Sequence, residues 1–227
     1  MRAMILCAGR GERLRPVTDT TPKPMVMVGG KPLLYWHVMR LKRAGINEII
    51  VNSAWLHEQI ESYLGDGQSF GVRIAHSVEG PGGLETAGGI IKALPFFGGK
   101  PFLVVNGDTY MDADYAQFMD SPPAEGMARI FLATNPPHHP QGDYAIRDGR
   151  ACIAGSNKMT FTGAAVYSAS VFSGMEIKRL PLRPILDRLI SEDCLLARQI
   201  DGRWFDCGTI ERLNEADNYA LQKEEKL

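Results

Sequence analysis

Apolar residues enter this chain in short solid blocks. AMILC at 3–7 is five apolar residues without alternation, which predicts a strand covered on both faces, as in a parallel sheet. EIIVNSA at 48–54 and PFLVVNGD at 101–108 repeat the pattern, and VRIAHS at 72–77 is a weaker version of it. Between these blocks the apolar positions take helical spacing. LLYWHVMRLKRAG at 33–45 ends in basic residues and a glycine, and HEQIESYL at 57–64 and TAGGIIKAL at 86–94 follow the same period. Strand and helix thus alternate through the first half. That order predicts a doubly wound α/β domain with a mixed, mainly parallel sheet, its ligands at the carboxyl ends of the strands.

The second half is less regular. ARIFLAT at 128–134, a hairpin over 144–155 turning at Asp148-Gly149, and FTGAAVYS at 161–168 read as strands of a smaller β lobe. Helices are predicted at 184–191 and from about 209 onward. No repeat or low-complexity segment interrupts the chain, and NPPHHPQGD at 135–143 is a proline-bound loop, so residues 1–227 read as one domain. Its two parts divide near residue 110.

With 227 residues, 44% of them hydrophobic, the chain can bury a core unaided. No apolar run reaches the roughly 18 residues of a membrane span, and the five-residue amino-terminal block is too short for a signal peptide. A cytoplasmic protein without a membrane partner is the expectation. Cys7, Cys152, Cys194 and Cys207 have no CxxC spacing, so reduced thiols and no structural zinc are expected, with Cys7 a packing residue. His57-Glu58 lacks the second histidine of a zinc-protease helix, and His138-His139 sits in the proline loop without an evident partner; both read as surface. KEEK at 223–226 reads as a fraying helix end.

Charge changes the picture more. The net value is −1, yet residues 1–50 hold nine Lys or Arg against three Asp or Glu, while the remainder is net acidic. Nucleic-acid surfaces interleave such charge with aromatics; here it crowds one glycine-containing loop, which fits a compact polyphosphate better.

That loop, AGRGERLRP, follows the first strand. Gly9 and Gly11 let backbone amides approach phosphate oxygens, and Arg13 and Arg15 add forked charge. The third glycine of the dinucleotide fingerprint is missing, and VGGKP at 28–32 fails the P-loop pattern because proline follows its lysine. A loop of this kind is also a common strand exit. Lys23 is more specific, because Pro22 and Pro24 fix the backbone on both sides of it, although such a tetrapeptide can also just shape a turn. Asp108, after Gly107 at the end of a strand, and Asp206 in WFDCGT stand where two carboxylates could share a magnesium ion with substrate phosphates. Singly, each aspartate would read as a turn or a cap.

Taken in order, LCAGRGERLRP, TPKP, LETAGG at 84–89, NGD, FTGAAVY and WFDCGT resemble the sugar-1-phosphate nucleotidyltransferases over nearly the whole chain. VNSAWL after the second strand, and LETAGG where guanylyl and thymidylyl enzymes typically carry LGTAG and LAQA, are similar to the uridylyl-transferring branch. The resemblance implies a Rossmann-like nucleotidyltransferase fold with a smaller sugar-binding lobe, Mg2+ as cofactor, and a nucleoside triphosphate and a sugar 1-phosphate as partners. It implies Ala8, Gly9, Gly11, Leu84, Glu85, Thr86 and Asn106 around the nucleotide, with Arg13 and Lys23 on its phosphates. Asp108 and Asp206 would hold the metal, and Asn52, Gly142, Asp143, Thr162 and Gly163 would face the sugar. A non-catalytic sugar-nucleotide sensor is the alternative from another class, against which the joint presence of Arg13, Lys23, Asp108 and Asp206 weighs.

Overall fold

A computed structural model describes residues 1–223. Its first half runs β1 (Arg2–Cys7), a single turn α1 (Val17–Thr20), the short pair β2 (Met27–Val28) and β3 (Lys31–Pro32), then α2 (Leu33–Arg43), β4 (Glu48–Ser53), α3 (His57–Leu64), β5 (Arg73–Val78), α4 (Glu85–Phe97) and β6 (Phe102–Asn106). The second half holds β7 (Thr109–Ala113), β8 (Ala128–Ala133), β9 (Ala145–Arg147), β10 (Arg150–Cys152), β11 (Thr160–Tyr167), α5 (Arg183–Ser191), β12 (Leu195–Gln199), β13 (Gly202–Asp206) and α6 (Ile210–Lys223). Of the predicted fraying end only Lys223 is described, closing α6; residues 224–226 lie outside the described residues.

Among the described residues nine strands form one sheet in the order β5-β4-β1-β6-β11-β8-β12-β10-β9. Its four first-half strands, β5, β4, β1 and β6, are parallel, as their apolar runs require, while β2 and β3 pair antiparallel apart from it. β11 enters antiparallel beside β6, and β12 lies parallel to β8. Five second-half strands, β8 to β12, continue this sheet, and the other two, β7 and β13, pair antiparallel in a small sheet of their own. The 144–155 hairpin turns at Asp148-Gly149, both at positive φ, the geometry a two-residue hairpin turn needs.

Alternation along each strand sorts the core onto two faces. Ala3, Ile5 and Val51 pack with Leu34, Val38 and Leu41 of α2 and Ile60 and Leu64 of α3. Met4, Ile50 and Val104 pack with Ile90, Ile91 and Phe97 of α4 and Leu186 and Leu189 of α5. The result is a sheet between two helical layers, with its strand ends left open to carry loops. α4 outruns its predicted end because Pro95 falls in the last turns and Gly98, at φ 59°, is the residue that stops it.

α2 also plants a histidine under the sheet end. His37 is 1% exposed; its Nε2 meets the Thr109 carbonyl at 2.8 Å and its Nδ1 meets the Tyr115 hydroxyl at 2.7 Å. A carbonyl only accepts, so Nε2 carries the proton and Nδ1 accepts from tyrosine. Burial, reinforced by Arg40, lowers its pKa to about 4. Unfolding returns the imidazole to its ordinary value near 6.5, so the unfolded state takes up a proton first as pH falls. Stability contributed by neutral His37 is therefore complete above about pH 6.5 and lost toward pH 4, at up to about 1.4 kcal/mol per pH unit. Urea unfolding of wild type and His37→Gln across that range should show a shallower pH slope in the variant.

Candidate active site

The carboxylate at the centre of the site is set by how tightly β6 leaves the sheet. Gly107 donates its amide to Leu6 at 2.9 Å, and a Cβ there would lie 2.6 Å from Cys7 Sγ. Glycine is needed for this approach to β1. The chain then turns into β7, leaving Asp108 at the sheet's carboxyl edge. Asp206 reaches the same place through pairing: in the β7–β13 ladder it lies directly opposite Thr109. Two carboxylates far apart in sequence thus stand one residue out of register.

Lys23 completes this cluster. Its prolines hold it in a single helical turn, its side chain is buried, and its Nζ donates to Asp108 Oδ2 at 2.6 Å. Gly11, at φ 70°, lies so close that a Cβ would meet Thr18 and Lys23 at 3.0 and 3.1 Å. Among the described residues no amide from Gly9 to Arg13 donates to a protein acceptor, and a Cβ on Gly9 would meet nothing within 4 Å. This is the open amide concavity expected of an anion site.

The arginines divide differently from the expectation. Arg15 is turned to Asp19 at 3.2 Å and adds no charge over the loop. Arg10 reaches Asp19 too, donates to the Thr18 carbonyl at 2.8 Å, and stacks 3.6 Å over Trp55. Trp55 in turn donates its indole N–H to Thr18, so it braces the loop from outside rather than filling the core. Arg13 alone of the three lines the cavity.

That cavity, of about 380 Å³, opens between the two halves of the chain. Asp108 and Asp206 face it with Arg13 and Arg212, and Asn106 and Thr162 form part of its wall. Gly163, at φ 80° in a bulge of β11, exists for the Asn106 side chain, which a Cβ would strike at 2.3 Å. The Thr162 hydroxyl donates to Phe131 and accepts from Ala164, which fixes that bulge. Gly142 packs on Asn135 and Lys158, and Asp143 accepts from the Phe161 amide and contacts His139 at 3.2 Å. Neither residue lines the cavity itself; Asp143 contacts His139 and Phe161, which do.

His138 and His139 are surface residues as expected, but the structure adds a role at the cavity. Both line the cavity, and His138 Nε2 lies 3.5 Å from Asp206 Oδ2, a carboxylate also bound by Arg212. The partner that the sequence did not reveal comes from a distant strand, β13. Arg212 was likewise missed; its position one turn into α6, shortly after Asp206, was the available signal.

Asn52 is a second correction. Its Oδ1 accepts from the Cys7 amide at 3.0 Å and its Nδ2 donates to Glu79 at 2.7 Å, and at 2% exposure it presents no surface to a sugar. Leu84 caps and Glu85 and Thr86 open α4, which packs on β1 and β4. The Glu85 carboxylate is taken by Arg179 at 2.9 Å, and the Leu84 amide donates to Glu79 at 2.6 Å. Ala8 marks the facing side, its carbonyl 3.8 Å from where a Gly83 Cβ would sit.

Burial pushes the Cys7 thiol well up and, eased by Lys23, the Cys207 thiol to about 12, so both flank the carboxylates as neutral groups. Asp108 and Asp206, paired here with Lys23 and Arg212, are donors of the kind a divalent cation such as magnesium would take. Hard carboxylate oxygens suit it, and since no group of three or more His, Cys, Asp or Glu that could hold a metal occurs among the described residues, water and phosphate oxygens would complete the shell, as this ion prefers.

Among the described residues, one edge of the parallel sheet thus brings together a glycine loop with unpaired amides, a buried lysine and two carboxylates. The chain belongs to the nucleotidyl transferase family, whose profile matches residues 2–146. It is 48% identical, over 97% of its length and 98% of the relative's, to the N-acetylmuramate alpha-1-phosphate uridylyltransferase of Neisseria meningitidis serogroup B. Against the UTP–glucose-1-phosphate uridylyltransferase of Synechocystis it is 36% identical over 64% of its own chain, spanning 40% of that protein. The crystal structure of HddC from Yersinia pseudotuberculosis superposes with a TM-score of 0.76 at 25% identity, covering 96% of this chain and 98% of that one.

Proposed function

We propose that this chain transfers a uridylyl group from UTP to N-acetylmuramate 1-phosphate, releasing pyrophosphate, in the cytoplasm and with Mg2+. The full-length similarity to the Neisseria enzyme carries the reading, since the two chains match from end to end. The glycine loop and Lys23 receive the triphosphate, and the cavity walled by Asn106, Thr162 and the 135–143 loop receives the sugar phosphate. A sugar phosphate is already an anion at neutral pH, so attack on the α-phosphorus needs no general base. What the site must supply is alignment of two mutually repelling anions and cover for the charge that grows between them. Arg13 and Lys23 supply fixed positive charge, and a divalent ion on Asp108 and Asp206 adds neutralisation of the phosphate oxygens. Asn106, held by Gly163, keeps the two substrate regions in register.

A muramate substrate brings a lactyl carboxylate. Arg147, Arg150 and Arg183 do not line the cavity, whereas Arg212 and the His138-His139 pair do and are its groups for that carboxylate. The test is a matrix of nucleoside triphosphates against sugar 1-phosphates with pyrophosphate measured. UTP with N-acetylmuramate 1-phosphate should give the highest kcat/KM. A preference for another base or another sugar would overturn the reading while leaving the family assignment intact.

A further inference from the structure

Glu79 is a buried carboxylate that the transfer chemistry does not use. It is 4% exposed, at the end of β5, and its amide donates to the Ser53 carbonyl at 2.7 Å. Its side chain accepts from two directions: Oε1 from Asn52 Nδ2 at 2.7 Å, and Oε2 from the Leu84 amide at 2.6 Å. Asn52 passes the contact on to the Cys7 amide, at the root of the glycine loop. One carboxylate therefore ties β1 and β4 to the first residue before α4, spanning a strap, Gly80–Gly83, that lies against Ala8.

The neighbouring glycines are shaped around this tie. A Cβ on Gly89 would sit 2.6 Å from Glu79 Oε1 and 2.8 Å from Asn52 Nδ2. Gly88 makes room on the other side for the Lys178 carbonyl, and Leu180 bonds both Leu84 and the Ala87 amide. The entry to α4 is thus clamped from two sides, and the clamp facing the glycine loop is Glu79.

We propose that Glu79 is a positioning residue for the nucleotide: it fixes the Gly80–Leu84 strap over the Ala8–Gly11 loop and so sets affinity for the nucleoside triphosphate without taking part in turnover. This deepens the uridylyltransferase reading and rests on it. Asn52 offers one donor to Glu79, which makes the pair reversible in polarity. Glu79→Gln alone turns an amide donor toward the donor of Asn52 or of Leu84. Asn52→Asp alone sets two carboxylates face to face. With both substitutions present, the new carboxylate on β4 accepts from Cys7 and from the glutamine amide, while the glutamine oxygen accepts from Leu84, so every donor regains an acceptor.

Steady-state kinetics with UTP and N-acetylmuramate 1-phosphate, alongside thermal melts, test this. Each single variant should raise KM for UTP about tenfold or more, leave kcat and the sugar-phosphate KM within about threefold, and be rescued in the double variant. A double variant as weak as the singles, a loss carried by kcat, or an equal rise in the sugar-phosphate KM would overturn the proposal. If Glu79→Gln fails to fold, Glu79→Asp, one methylene too short to span both partners, should show the same selective rise, and its absence refutes the role. No UTP turnover by wild type would instead sink the substrate reading; normal wild-type turnover with unaltered variants sinks only the role of Glu79.

Discussion

Asp108→Asn lowers turnover by about 10²- to 10³-fold, the size of effect expected when one charge-stabilising contact is lost from a transition state. Asparagine keeps an oxygen for Lys23 Nζ and so preserves the packing, while removing the charge that would hold a divalent ion. Asp108→Ala removes both. Lys23 is 6% exposed and Asp108 39%, so the alanine variant strands a buried ammonium whose partner alone touched solvent. Its melting temperature should fall below that of Asp108→Asn, while both lose pyrophosphate release. Asp108→Asn retaining near-normal turnover would remove the carboxylate from the chemistry.

Lys23→Met is the second large effect. Methionine fills much the same volume, and half-exposed Asp108 can turn to water, so stability should change little. Turnover should fall by about 10²- to 10³-fold, because the fixed cation between glycine loop and carboxylate is gone. Lys23→Arg should not rescue it, since a planar five-donor fork does not replace a buried ammonium that makes one 2.6 Å contact with Asp108. A Lys23→Arg enzyme with wild-type kcat would show that charge alone, without this placement, is sufficient.

The split between what sequence shows and what only structure shows follows contact range. Helix α3 was legible residue for residue, and β1, β4, β8 and α2 to within a residue or two, because burial on two faces or on one stripe leaves a local period. β12 and β13 were not, since LLARQ and GRWFD are short, carry charge, and become strands only by pairing with β8 and β7. The same distinction runs through the site. Lys23 and Asp108 announced themselves through adjacent proline and glycine. His138 could not, because its partner Asp206 arrives through the β7–β13 ladder. Asn52 was misread for a related reason: nothing local distinguishes an amide facing substrate from one consumed by Glu79. The glycine of NGD, besides sitting in the turn from β6 to β7, serves a close approach to β1, which is again a long-range contact.

Binding of Mn2+ in place of Mg2+, followed by electron paramagnetic resonance in the presence of UTP and without sugar phosphate, addresses the paired carboxylates most directly. Wild type should hold one protein-bound ion per chain, and Asp108→Asn and Asp206→Asn should each fall to the signal of free Mn2+ and UTP. An Asp206→Asn protein that binds the ion as wild type does would contradict the account.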